Sequence, residues 1–179
     1  MSSPLTSPEN NWWNIPVSWY ERVWLIISVC SAVVLFAVMV GWSWVGDQNQ
    51  IGTTYRTSPT QFQDKLSEYQ QAGTRTKQGL RPEGEDVYIG AQQFAFQGLP
   101  VVLEAGKEYQ FHMSSLDVQH GFSVRPEDAL SKQMTLQFLP GYEWVLPMEF
   151  DEPGTYHVVC NEFCGVGHRV MHGTFVVRE

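Results

Sequence analysis

Residues 153–177 read PGTYHVVCNEFCGVGHRVMHGTFVV. Pro153-Gly154 marks a turn, and Thr155–Val159, rich in β-branched and aromatic residues, reads as a strand. A second strand is expected at Thr174–Val177. Between them lies the segment from Cys160 to Met171, which holds Cys160, Cys164, His168 and Met171. Gly165, Gly167 and Gly173 allow that segment to fold tightly back on itself. The chain thus carries soft metal-binding side chains on a loop between two short strands.

The same punctuation extends back to Asp86. Strands are expected at Asp86–Phe96, Pro100–Glu104, Tyr109–Ser114, His120–Val124, Met134–Leu139 and Glu143–Phe150. Gly98-Leu99-Pro100, Ala105-Gly106 and Pro140-Gly141 supply the breaks. Several strands in about 95 residues, with no long amphipathic helix between them, predict a Greek-key sandwich or small barrel and disfavour a βαβ fold. This all-β domain is expected to cover residues 85–179. Upstream, residues 47–84 are polar and mixed and read as a linker with a short helix near Thr60–Gln71. Pro59 opens that helix, and Phe62, Leu66 and Tyr69 fall at helical spacing.

Residues 23–46, VWLIISVCSAVVLFAVMVGWSWVG, contain no charge. Twenty-four residues at about 1.5 Å each span roughly 36 Å, enough to cross a hydrocarbon core of about 30 Å. Glu21 and Arg22 stand before the run and Asp47 after it. Trp12, Trp13, Trp19, Tyr20 and Trp24 lie at one end, Trp42 and Trp44 at the other, the placement of interfacial aromatic belts. The run is too long for a signal peptide and no A-x-A site follows it, so an uncleaved single-pass anchor is expected, preceded by an interfacial segment at 1–22. Arg22 before the helix and Arg56 and Lys65 after it do not choose an orientation. Cys30, mid-helix, reads as an inert membrane-packed thiol.

The chain has 179 residues and a net charge of −8, all of which resides in residues 84–179. The acidic balance argues against a general nucleic-acid binder, and its placement on the C-terminal half suits attraction of basic partners or simple solubility. Three cysteines are too few for a disulfide scaffold.

Thiolate, thioether and imidazole ligands together select copper or zinc, and the methionine favours copper. Two thiolates close together can bridge two metal ions, each of which then needs its own imidazole. His168 supplies one, with His172 a weaker alternative. The other is expected from His120 in Asp117-Val118-Gln119-His120-Gly121-Phe122, where Asp117 is placed to fix the loop or the ring. His112 and His157 lie within strands and Met113, Met134 and Met148 are expected in the core. A Cys160–Cys164 disulfide, a mononuclear blue-copper site and a thioredoxin-type copper chaperone are the rival readings. The second cysteine, the β-rich context and the position of the cysteines near the domain's end disfavour them.

The run CNEFCGVGHRVM meets every fixed position of C-x-E-x-C-G-x-x-H-x-x-M, and DVQHGF fits D-V-x-H-x-F. In both, together with MTLQFLPG and PGTYHVVC, the chain resembles the copper-A domain of cytochrome c oxidase subunit II from about Val87 to Glu179, with the membrane helix in front. The resemblance implies an all-β cupredoxin-like Greek-key sandwich with one N-terminal transmembrane helix. It implies two copper ions bridged by Cys160 and Cys164, with His120 and His168 on one each. Met171 would be a weak ligand to one copper and the backbone carbonyl of Glu162 to the other. It also implies a magnesium ion shared with subunit I at the Glu162 side chain.

The implied role is electron entry into a haem-copper terminal oxidase, from cytochrome c or a small copper protein to haem in catalytic subunit I. There oxygen is reduced and protons are pumped, so this chain carries the electron and not the oxygen chemistry. The copper domain would lie outside the cytoplasmic membrane, with the N-terminus inside. A copper-A subunit of a nitric oxide reductase is the nearest alternative. One membrane helix rather than two resembles the short subunit II of B-type oxidases. Where relatives carry a tryptophan-rich stretch, this chain has Gln93-Phe94-Ala95-Phe96. Phe94 and Phe96 are therefore either a docking surface or strand core.

Overall fold

The computed structural model describes residues 16–46 and 52–179. Trp12, Trp13 and Asp47, read above as flanks of the membrane helix, lie outside the described residues. Two compact units result, a helix and a β-rich domain.

Helix α1 runs Trp19–Val45, with Ser18 as N-cap accepting from the Glu21 backbone N–H at 3.3 Å. The cap satisfies a donor that the first helical turn leaves without an intrahelical partner. Its 27 residues extend about 40 Å. No side chain on it is buried, and Trp19, Tyr20, Trp24, Trp42 and Trp44 stand exposed at its two ends. The helix is long and apolar enough to cross a membrane.

The second unit is a sandwich of two sheets. The first has strand order β1 (Thr53–Arg56), β10 (Tyr142–Glu149), β7 (Glu108–Ser115), β4 (Asp86–Gln92), β5 (Ala95–Gln97). The second has the order β2 (Thr74–Thr76), β3 (Gly79–Arg81), β6 (Val101–Glu104), β12 (His172–Arg178), β11 (Gly154–Val159), β8 (His120–Pro126), β9 (Met134–Phe138). Most pairs are antiparallel; β4–β7, β6–β12 and β3–β6 are parallel. Alternate residues turn inward, as the two-residue period of a pleated strand requires: Val87, Ile89 and Ala91 on β4, Tyr109, Phe111 and Met113 on β7, Phe175 and Val177 on β12. Phe111 meets Phe175 at 5.4 Å and Phe122 stacks on Phe138 at 4.9 Å. Phe96, 5% exposed, packs edge-on against Phe122 at 5.6 Å and so belongs to this core.

The stretch expected as one strand at Asp86–Phe96 is a hairpin, β4 and β5 turning at Gln93-Phe94. Residues 52–84, expected as linker, contribute β1, helix α2 (Pro59–Ala72), β2 and β3 to the same unit. Ser58 and Gln61 form a reciprocal cap at the start of α2, with Pro59 in the first turn. Phe62, Leu66 and Tyr69 form its buried stripe and α2 lies against β4 and β7. Lys65 then reaches the buried Glu143 of β10 at 2.7 Å. Glu143 also bonds His112 Nδ1 at 2.7 Å, while His112 Nε2 is 3.2 Å from Asp86 and Tyr88 stacks on the ring at 4.4 Å. Burial raises the Glu143 carboxyl, but its bonds to Lys65 and His112 outweigh that and hold it below the usual range.

Candidate metal centre

Strands β12, β11 and β8 are neighbours in the second sheet. Val159 pairs with His172 on one side and with Ser123 on the other. The end of β11 and the starts of β8 and β12 therefore meet at one end of the sandwich. Cys160 follows β11, His120 opens β8 and Met171 precedes β12. The Cys160 N–H donates to the Met171 carbonyl at 3.1 Å, which closes the loop at its base. Within it His168 N–H bonds the Gly165 carbonyl at 3.0 Å, and His168–Val170 forms one 3-10 turn that aims His168 inward. Gly121 is required next to His120: any Cβ there would run into Asn161 and the Glu162 backbone.

All six residues singled out from the sequence come together here. Cys160 and Cys164 are free, buried thiols with sulfurs 3.8 Å apart. His120, wholly buried, places Nδ1 3.9 Å from Cys160 Sγ. His168 places Nδ1 3.7 Å from Cys164 Sγ. Met171 Sδ is 3.8 Å from Cys164 Sγ, and the Glu162 carbonyl accepts from Cys160 Sγ at 3.2 Å. The donors thus form an elongated set with the two thiols in the middle. His120 and the Glu162 carbonyl lie towards Cys160; His168 and Met171 lie towards Cys164. His172, the alternative imidazole, is exposed.

The donor set fits soft metal ions. Metal–thiolate and metal–imidazole bonds of about 2.3 and 2.0 Å, opened to a tetrahedral angle, separate ligand atoms by roughly 3.5–3.8 Å. The S–S separation and the His168–Cys164 separation fall at that spacing, the His120–Cys160 separation, at 3.9 Å, lies just beyond it, and His120, Cys160 and Cys164 lie within 4.8 Å of one another. Burial, together with the hydrogen bond and charge of Cys160, pushes the Cys164 thiol up to about 11. A Cys164 thiolate in this pocket therefore needs a cation beside it, and metal binding there would release its proton.

The ring orientation of His120 is fixed from behind. Its Nε2 lies 2.8 Å from Asp117 Oδ1, which leaves Nδ1 facing the sulfurs. Burial raises the Asp117 carboxyl, but backbone N–H groups of Gln93 and Val118 and the bond to His120 prevail and hold it low. A charged carboxylate thus orients the imidazole, as the sequence suggested.

One contributor had no sequence signal. Gln93, at the β4–β5 turn, donates its side-chain amide to the Cys164 carbonyl and its backbone N–H to Asp117. Beside it Phe94 lies half-buried under Gly167, where any Cβ would strike the ring.

No family model matches the chain. It is 31% identical over 162 residues to a cytochrome c oxidase subunit 2 of Thermus thermophilus, covering 89% of this chain and 92% of that protein. The chain belongs to the cytochrome c oxidase subunit 2 family. A second Thermus thermophilus protein of that name is 37% identical over 98 residues, 55% of this chain and 69% of the relative. A cryo-EM structure of a haem-copper terminal oxidase dimer contains a chain that superposes with a TM-score of 0.56 at 25% identity, over 89% of this chain and 99% of its own length. A rusticyanin structure matches at TM-score 0.50 and 16% identity over 74% of this chain, which places the β domain among cupredoxin folds. As a subunit 2 family member the chain pairs that fold with a Cys/His cluster suited to copper and a helix fit to anchor it in a membrane.

Proposed function

We propose that this chain is the electron-entry subunit of a haem-copper terminal oxidase. Its loop residues would hold a dinuclear copper centre outside the cytoplasmic membrane. Cys160 and Cys164 would hold both ions, with His120 and the Glu162 carbonyl as ligands towards the Cys160 end and His168 and Met171 as ligands towards the Cys164 end. The observation that carries it is the donor spacing: two thiols 3.8 Å apart with an imidazole against each, at 3.9 and 3.7 Å. A single metal ion uses one end of that set and strands the other. A copper pair bound there supplies a one-electron relay between a donor protein and haem.

The residues of this chain do the remaining work. The β11–β12 loop and the start of β8 fix the donor atoms before metal arrives, so little rearrangement accompanies a change of oxidation state. Buried Met171, Cys160 and Cys164 keep water from the sulfurs. Phe163 and Val166, 76% and 96% exposed on the same loop, face solvent where a donor can approach. The acidic charge of residues 84–179 favours a basic donor such as cytochrome c or a small copper protein. The electron then passes to haem in catalytic subunit I, where oxygen reduction and proton pumping take place. The Glu162 side chain, bonded to Gln137 Nε2 at 3.3 Å, would be the group that reaches a magnesium ion shared with subunit I.

The test is copper stoichiometry combined with electron paramagnetic resonance on the full chain in detergent. Two coppers per chain sharing one unpaired electron, lost in Cys160→Ser, is the expected result. One copper with a localised electron, or a Cys160–Cys164 disulfide and no copper, overturns the reading.

A further inference from the structure

The donor atoms come from two segments far apart in sequence, 117–120 at the start of β8 and 160–171 after β11. Strand pairing brings the loops to one end of the sandwich, where Gly121 packs against Asn161 and the Glu162 backbone in the first half of the cysteine loop. A third segment touches both. At the β4–β5 turn, the Gln93 backbone N–H donates to Asp117 Oδ2 at 2.8 Å, and Asp117 Oδ1 in turn holds His120 Nε2 at 2.8 Å. The Gln93 side-chain amide donates to the carbonyl of Cys164 itself. A Cβ on Gly165 would sit 3.0 Å from both Gln93 Nε2 and the Phe94 ring. The hairpin thus lies directly beneath the second half of the cysteine loop.

We infer that Gln93 is a positioning residue that braces the His120 loop against the Cys164 loop and sets the spacing of the two halves of the metal centre. The geometry gives each arm a separate job. The backbone arm depends on the turn and survives side-chain replacement. The side-chain arm fixes the Cys164 peptide, hence the direction of its sulfur and the entry of the chain into Gly165. Without that arm the Cys164–His168 segment keeps its ligands but loses the hydrogen bond that ties the Cys164 peptide to the hairpin holding Asp117. Its donors then sample a wider range of separations, which weakens metal retention and broadens the metal's spectroscopic signature. The role rests on the copper reading for its consequence and on hydrogen-bond geometry alone for its existence.

Two substitutions test it in the full chain in detergent. Gln93→Met keeps length and removes the donor. Gln93→Glu keeps shape and turns the donor into an acceptor facing a carbonyl, and it replaces the first variant should that fail to fold. In the metal-free chain, amide hydrogen exchange through 164–168 is expected to speed roughly fivefold or more, the weight of about one neutral hydrogen bond, with exchange in the β7 and β12 core unchanged. In the copper-loaded chain, release of copper to a chelator is expected to rise about 10–100-fold, with an altered paramagnetic spectrum at unchanged stoichiometry. Unchanged exchange across 164–168 in both variants overturns the brace, whatever the metal does. A wild-type chain that takes up no copper pair overturns the copper reading instead, and the exchange comparison still decides the role of Gln93.

Discussion

At the scale of single residues, the site depends on close approaches that leave no room for a side chain. Gly121→Ala places a Cβ into Asn161 and the Glu162 backbone. We expect a loss of about 1–3 kcal/mol in urea unfolding of the metal-free protein, and impaired copper uptake. Gly84, with nothing near its missing Cβ, is the control, and an equal effect at both positions would defeat the explanation. Met171→Leu separates packing from ligation. The side chain is 1% exposed, so the swap should cost under about 1.5 kcal/mol without metal. With copper it should shift the visible spectrum and the reduction potential; an unchanged spectrum would remove Met171 from the ligand set. The ligand candidates were legible because five of the six lie in one run with fixed spacing, and His120 stands in its own short motif. Gln93 was not legible. Its partners lie 24 and 71 residues away, and a glutamine carries no spacing signature.

At the scale of elements, α2 shows what local signals can and cannot say. Pro59 and the Phe62, Leu66, Tyr69 stripe announce a helix. That it covers β4 and β7 is a tertiary fact, invisible in a polar stretch whose strands β1, β2 and β3 are three or four residues long. The Gln93-Phe94 turn is hidden for a related reason: no glycine or proline interrupts 91–97. Leu66, fully buried between α2 and the sheet, should lose about 2–5 kcal/mol on Leu66→Ala. The Lys65–Glu143–His112 bonds add a pH signature. The Glu143 carboxyl is held below its ordinary value of 4.5, so its stabilisation is complete above that pH and fades as pH falls through the lowered folded-state value. Melting curves of wild type and Glu143→Gln should therefore differ near neutrality and converge in acid. A gap that stays constant with pH would show that the charge is not what Glu143 contributes.

At the scale of the molecule, the domain begins earlier than its strand-rich part suggests. A chain starting at 52 keeps β1, α2, β2 and β3 and should unfold in one cooperative transition. One starting at 85 exposes the surface under Phe62, Leu66 and Tyr69 and should lose near-ultraviolet dichroism and melt broadly. Equal denaturant midpoints and slopes for the two would refute this. Order along the chain has a consequence in time. Strand β12 lies inside the second sheet, pairing with β11 on one side and in parallel with β6 on the other. A nascent chain that has reached Met171 already owns every candidate ligand, yet the seam joining β6 to β11 has not been made. The ligand cage can take shape only after His172–Arg178 has been synthesised and inserted, since pairings this distant in sequence form late. Tight copper uptake is thereby deferred until the last strand is in place, and an unfinished polypeptide is left metal-poor.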